Sequence, residues 1–475
     1  MKAVLNFLSD DEVEQIHRTS LQILKETGVR IHSEKVRRLL VKNGARLDGD
    51  IAKIPNALVN EAIEKAPSEM SLCARDVDCD LKLPAKDFRF LATSGFSPFI
   101  TTNLETGERR QSTSSDLRDI AIVGDYLDTV DYFWPSVLPN DVSPPLQELH
   151  ALAIALRNNR KHIQCSCVTE KTARWQIRLA SAIVGGDSEL RKRPIFSTIN
   201  CPVAPLAFEK DSAEAMVILA KAGIPIAPMT MVLGAATAPA TLAGTLAVGN
   251  AEQLASLVIV ECANPGAPMI YTSEAAPANM KTGEINYAAP QYLLLSAGST
   301  QMARFYRLPA SAADIWLEGA PFEPLSLERN VLKAAMWQMC GADISPSLGC
   351  RDLALSVSLE QIILDAEACE HARAYLRRFE IDDDTLAIDV IQEVGPGGHF
   401  LDKKHTLEHF RREIWSRELS DTFILDSTAK GSFLERSKAK VKEILAEHTA
   451  PPLNDDVRRE MEQILSDAEK DMAEE

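Results

Sequence analysis

Hydrophobic positions along the chain follow two rhythms. Over the first 85 residues they recur at helical spacing. Ser9 and Glu12 stand as a capping box, Val13, Ile16, Ser20, Ile23 and Leu24 share one stripe, and Gly28 is a C-terminal stop. A second amphipathic segment runs from Ser33 to Asn43, ended by Gly44, and a third starts at Pro55. This block predicts a helical cap on something larger.

From about residue 88 short apolar or β-branched runs alternate with helical stretches, at intervals of roughly 30 to 40 residues. The runs are Phe88–Thr101, Asp131–Leu138, His162–Val168, Pro194–Asn200, Ile224–Met231, Pro268–Glu274, Leu308–Ile315 and Gly341–Leu348. Helices are predicted between them, among them Ser115–Tyr126, Gln147–Arg157, Lys171–Val184, Ala213–Ala222, Leu327–Met339 and Leu359–Arg377. Eight strands in this rhythm predict an α/β fold, a (β/α)8 TIM barrel over residues 86–380. An open doubly wound sheet is the alternative, but no Gly-x-Gly-x-x-Gly turn follows an early strand. Residues 1–85 would then be an N-terminal helical cap, and 381–475 a C-terminal extension packing on the barrel or a neighbouring subunit. Within that extension Val394-Gly-Pro-Gly-Gly-His-Phe400 predicts a loop against the barrel mouth or a second chain. Asp455 to Glu475 predicts a charged helix that packs through Val457, Met461, Ile464, Leu465 and Ala468.

Composition narrows the class. With 45% apolar and 25% charged residues among 475, the chain suits a soluble globular protein with a large core, which excludes disordered, collagenous and coiled-coil readings. Its 51 basic against 68 acidic residues give a net charge of −17, which argues against nucleic-acid binding. Met1 to Phe7 runs at once into Ser9-Asp10-Asp11-Glu12, leaving no signal-peptide core. The apolar stretch Ala236 to Ala263 is broken by Asn250, Glu252 and Gln253, so it predicts a buried helix instead of a membrane span. A cytoplasmic location is the expectation. Nine cysteines without a Cys-x-x-Cys pair, Cys165 and Cys167 being the nearest neighbours, predict no disulfide framework. His405 and His409 would share a helix face, yet no zincin glutamate lies between them and no third ligand is evident, so no metal is expected.

A barrel of this kind carries its site at the C-terminal strand ends. Those ends supply Phe96, Phe99, Trp134, Cys167, Asn200, Thr230, Tyr271, Glu274, Asp314, Trp316 and Asp352, and His399 on the glycine loop could join them. Carboxylates and aromatics dominate, with no lysine or arginine placed to grip phosphate. Such a pocket suits a cationic, alkyl-bearing ligand, because aromatic faces attract quaternary ammonium and carboxylates supply countercharge.

Several segments carry a resemblance: Asn200-Cys-Pro-Val-Ala-Pro-Leu206, Gly234-Ala-Ala-Thr-Ala-Pro-Ala-Thr-Leu-Ala-Gly244 and Asn264-Pro-Gly-Ala-Pro-Met-Ile-Tyr271. Met280–Gly283, Gln301–Tyr306, Ser358–Glu367 and Val394–Leu401 extend it, as do Ile16-His17 and Ile23–Val29 near the N-terminus. Together, from residue 8 to about 453, they resemble the trimethylamine methyltransferase family.

That resemblance implies a barrel enzyme that moves a methyl group from a methylated amine to the Co(I) centre of a separate corrinoid protein. The cofactor is then carried by the partner, with none held permanently by this chain. It also implies that archaeal relatives acting on trimethylamine carry pyrrolysine near the end of the seventh or eighth strand. This chain has only standard residues, and the register of Asp343–Leu353 puts Asp352 or a neighbour at that position. Relatives without pyrrolysine act on quaternary amines such as glycine betaine, proline betaine or carnitine, and the chain resembles those. The strand ends and this register together give an expected site with Asp352 and Asp314 as its negative field. Phe96, Phe99, Tyr271, Glu274, Trp316 and His399 would line the substrate, and Gly397 and Gly398 would border the corrinoid. A corrinoid protein and a homo-oligomer are the expected assemblies. The chain departs from the family pattern at Ser345–Cys350 and Ala310–Asp314, which leaves the particular amine open. Two other functions stay in view: a metal-dependent hydrolase using His399, His405 and His409, and a betaine-binding protein without catalysis.

Overall fold

The computed structural model describes residues 4–93, 99–312, 324–352, 355–413 and 431–473. Seven parallel strands lie side by side around a curled sheet. In chain order the barrel strands are β1 (Phe90–Thr93), β2 (residues 132–133), β3 (Ile163–Ser166), β4 (Phe196–Asn200), β5 (Ile226–Thr230), β6 (Tyr271–Ser273), β7 (Ala310–Ala312) and β8 (Ile344–Leu348). β8 pairs with β1 on one side and β7 on the other, and the ladder continues through β6, β5 and β4 to β3. β2 closes the ring: Tyr132 bridges Ala92 and Phe133 bridges Ile163, both parallel. The expected run Asp131–Leu138 shrinks to this pair because Pro135 has no N–H to donate to a ladder.

Each strand is followed by a helix: α1 (Ser114–Tyr126), α2 (Gln147–Asn158), α3 (Glu170–Val184), α4 (Lys210–Ala222), α5 (Leu242–Ala263), α6 (Pro290–Phe305), α7 (Pro324–Gln338) and α8 (Leu359–Leu376). These are the strands and helices of a (β/α)8 barrel. α5 is long and apolar enough to cross a membrane by length and composition, but most of it is buried inside the protein. β5 and β6 cover one side of it; the helices Asp10–Gln22, Glu34–Lys42 and Asn56–Lys65 cover another. A helix covered all round needs no polar stripe.

The N-terminal block is not purely helical. Val29–Ile31, Arg46–Asp48 and Ile51–Lys53 form a small sheet that Ala207–Phe208 joins from the loop after β4. Met70–Leu72 and Leu81–Leu83 form a hairpin. Strands of three residues are too short to show a period in the sequence. The hairpin buries Leu72, Leu81 and Leu83 against the barrel interior, closing its N-terminal end.

The C-terminal extension returns to the barrel in two places. Phe433–Glu447 packs on α8 and α1, and Asp455–Ala473 packs on α3 with Met461, Ile464, Leu465 and Ala468 buried as expected. Between Arg373 and Glu413, however, no residue is buried.

Candidate active site

Side chains alternate across a strand, so parity decides which residues face the barrel interior. The interior cluster contains Ala92, Tyr132, Trp134, Ile199, Ala227, Met229, Ile270 and Ile344, with Phe90 and Met231 against it. Leu91, Phe133, Cys165, Phe196, Ile226 and Tyr271 belong to the outer core, between sheet and helices. Extending the interior parity to the C-terminal rim brings in Cys201 two residues after Ile199, Met231 after Met229, and Glu274 four residues after Ile270.

Glu274 is buried, and its backbone N–H continues the ladder to the Thr230 carbonyl at 2.8 Å. The Tyr292 hydroxyl, in the first turn of α6, donates to its Oε2 at 2.6 Å. Tyr292 is itself fixed edge-on by Tyr287, 5.2 Å between ring centroids, and tilted on Trp337 at 5.6 Å. Cys201 is exposed, yet the protein crowded around it pushes its thiol up to about 12, with the Glu274 charge as the next cause. Trp134 is buried, and its indole N–H finds no hydrogen-bond partner among the described residues. Trp134 and the thioethers of Met229 and Met231 thus share the interior cluster, and strand parity puts Glu274 on the same face at the C-terminal rim.

The other expected site residues stand elsewhere. Tyr271 faces outward: its hydroxyl donates to Asn250 Oδ1 of α5 at 3.0 Å, and its ring stacks on Tyr306 at 6.5 Å. Tyr271 and Glu274 are three apart in an extended run, so they point to opposite faces and cannot both line one pocket. Cys167 lies in the outer core, and Thr230 approaches Gly249 of α5. Asp352 sits in the left-handed region (φ 56°) at the turn between Cys350–Arg351 and Ser356–Val357. Its carboxylate is met by Arg109 at 2.5 Å and by the Ser356 hydroxyl, so it does not present a free negative field.

That turn belongs to a small sheet formed with Ile100–Thr102 and Arg109–Gln111, made from the segments after β1 and β8. Phe99, beside it, is 49% exposed, and its carbonyl accepts from Ser112 N–H at 2.9 Å. His399 is exposed and its Nδ1 lies 3.7 Å from Asp402. The glycines beside it serve the local turn: Gly397 has φ 83°, and a Cβ on Gly398 would strike the Val394 carbonyl at 2.6 Å. The close approach at Gly398 is therefore to its own helix end. Phe96, Asp314 and Trp316 lie outside the described residues.

Sequence reasoning missed three carboxyl groups that hold loops in place, Asp365 and Glu252 buried and Glu148 half-buried. Asp365 of α8 accepts from Gly349 N–H after β8 at 2.9 Å; Glu252 of α5 accepts from Leu206 N–H after β4 at 2.8 Å; Glu148 of α2 accepts from Val168 N–H after β3 at 3.1 Å. Burial pushes each of them up to about 7, against the lowering effect of its N–H donor. A helix carboxyl that grips the loop after a strand fixes the rim on which a barrel site is built.

Comparison with known proteins agrees with the barrel fold. The family model "Trimethylamine methyltransferase (MTTB)" matches residues 1–473. A relative described as trimethylamine methyltransferase MttB, from Desulfitobacterium hafniense, is 28% identical over 97% of this chain and 93% of its own length. Another from D. hafniense, described as glycine betaine methyltransferase, is 27% identical over 99% of this chain and 98% of its own. The crystal structure of the Methanosarcina barkeri monomethylamine methyltransferase MtmB superposes with a TM-score of 0.55 at 11% identity, covering 100% of this chain and 88% of that one. At that identity it speaks for the fold alone.

Proposed function

Because the chain belongs to the trimethylamine methyltransferase family, we propose that it takes a methyl group from a betaine-type quaternary amine and delivers it to the Co(I) corrinoid of a separate protein. The two D. hafniense relatives differ in substrate and hardly in identity, so the choice of amine rests on the site. The observation that carries it is Glu274, buried just past β6 and held by Tyr292, on the strand face that Met229, Met231 and Trp134 also occupy. A quaternary ammonium offers no N–H, so charge and apolar or aromatic surface must recognise it. The Trp134 indole N–H, buried and without a hydrogen-bond partner among the described residues, is a donor that the carboxylate of a betaine would satisfy if the substrate opens a way to it.

The chain's own chemistry fits an external nucleophile. Cys201 is the thiol beside Glu274, and with its pKa pushed up to about 12 it stays protonated and weakly nucleophilic. A Co(I) corrinoid brought by the partner would supply the nucleophile, attacking the methyl carbon in line. As the C–N bond breaks, nitrogen keeps its electron pair and leaves as a neutral tertiary amine, so no proton has to be delivered. The residues here need only position the methyl group and exclude water, which is where Glu274, Trp134 and the clamped loops act. The uncovered apolar residues Phe379, Ile381, Leu401 and Leu407 support self-association.

The test is methyl transfer by the purified chain to a reduced corrinoid protein, followed by the loss of Co(I) absorbance. Glycine betaine, proline betaine, carnitine and trimethylamine are offered in turn. Turnover of at least one quaternary amine and not of trimethylamine is expected. Turnover of trimethylamine, or binding of a betaine without any transfer, would overturn the proposal.

A further inference from the structure

Residues 378–413 leave α8 and contain three helices, Asp383–Leu386, Ile388–Val394 and Lys404–Glu413, none of which buries a residue. Leu386 and Ile388 are each 57% exposed, and Leu401 and Leu407 more so. A unit of this length without a hydrophobic core needs another source of cohesion, and small units commonly use disulfides, metals or oligomerisation. The segment contains no cysteine.

It does contain a constellation of metal-ligating groups. His405 and His409, one turn apart on Lys404–Glu413, stack their rings at 4.2 Å between centroids with 25° between planes. Both are half-buried. Opposite them stands Asp384, in the first turn of Asp383–Leu386. One ligand atom from each of the three lies within 4.8 Å of the others. His409 Nε2 is 3.3 Å from Asp384 Oδ2. A zinc ion with ligands at about 2.0 to 2.1 Å in a tetrahedron sets its ligand atoms about 3.3 to 3.4 Å apart, so this edge is already at coordination spacing. His405 Nε2 lies 3.0 Å from the Asp384 backbone carbonyl, which holds the second imidazole against the same turn. His399, which the sequence grouped with this pair, is absent from the cluster and stands with Asp402. Asp384 was not visible as a ligand because it precedes the histidines by more than twenty residues and reaches them only through the fold.

We propose that Asp384, His405 and His409 bind a divalent zinc-class cation that clips the Asp383–Leu386 turn to the Lys404–Glu413 helix. Two imidazoles and one carboxylate are a donor set for zinc, with a water completing the tetrahedron. The ion crosslinks residues 21 positions apart and so closes a long loop, which is where a clip restricts the unfolded chain most. Its role is structural, since methyl transfer as proposed above uses no metal on this chain. Failure of either proposal therefore leaves the other standing.

The experiment uses the full chain, stripped with a chelator, dialysed against zinc sulfate and then against zinc-free buffer, with zinc measured by elemental analysis. About one equivalent per chain is expected in the wild type, and at most about a tenth of that in His405→Ala/His409→Ala. Asp384→Asn should weaken zinc retention by about tenfold or more while leaving both imidazoles in place. Zinc should also slow tryptic cleavage within 378–413 in the wild type and not in the double variant. A wild-type chain that retains no zinc, or a double variant that retains as much as the wild type, would overturn the site.

Discussion

Tyr292 donates its phenolic hydrogen to Glu274 across 2.6 Å, joining the first turn of α6 to the residue just past β6. Through it a helix outside the barrel holds a buried carboxylate at the C-terminal rim. Tyr292→Phe keeps the ring packing on Tyr287 and Trp337 and removes only the hydroxyl. Hydrogen bonds to charged groups are worth about 1.5 to 3 kcal/mol, of which part is recovered by water, so KM for the amine should rise roughly 3- to 10-fold. kcat should change less than about twofold, since the reacting atoms are untouched. Steady-state kinetics with glycine betaine separates the two parameters.

Tyr271→Phe should do the opposite. It removes the donor to Asn250 Oδ1, an atom buried in a network in which Asn250 also donates to Ser20 and Tyr306, both at 2.9 Å. An acceptor left unsatisfied in the core costs about 1 to 3 kcal/mol. Urea unfolding should show that loss, with methyl transfer per folded molecule unchanged.

How far the sequence reached depends on what each feature needs. The strand–helix rhythm located all eight strands, because buried parallel strands read as continuous apolar runs. Those runs do not show which side of the sheet each residue faces. Counting by two from Trp134, Ile199, Met229 and Ile270 recovers Cys201, Met231 and Glu274, and rejects Tyr271; that signal was present and unused. The pairing of Asp352 with Arg109, and of Asp365 with Gly349, joins loops after different elements and leaves no local trace.

Asp352→Asn tests the role that resemblance assigned to that residue. Its side chain is partly exposed, and such an ion pair contributes about 0 to 1 kcal/mol. Substitution should change kcat/KM for a quaternary amine by less than about fivefold. A much larger loss, with the melting temperature unchanged, would return Asp352 to the substrate.

Stability should fall as pH rises from about 6.5 to 8. Asp365, Glu252 and Glu148 stay protonated in the folded chain up to about 7, whereas the unfolded carboxyls ionise near 4. The folded state therefore holds more protons across that interval, and stability is lost with rising pH. His162, lowered to about 4, works in the other direction, but only between 4 and its unfolded value near 6.5; Lys161, lowered to about 8, acts only above 8. Thermal melts across pH 6.5 to 8 should show a negative slope, and Asp365→Asn should make it shallower.

The central claim is that the Glu274 carboxylate holds the cationic substrate. Glu274→Gln preserves shape and an acceptor for Tyr292 while removing the charge. The direct measurement is kcat/KM for methyl transfer from glycine betaine, or whichever quaternary amine the wild type uses, to the Co(I) corrinoid protein. Losing a desolvated charge–charge contact of about 2 to 4 kcal/mol should lower it by roughly 30- to 1,000-fold, with the fold intact by circular dichroism. A Glu274→Gln enzyme within about threefold of wild type would contradict the account and move the cation to another part of the barrel mouth.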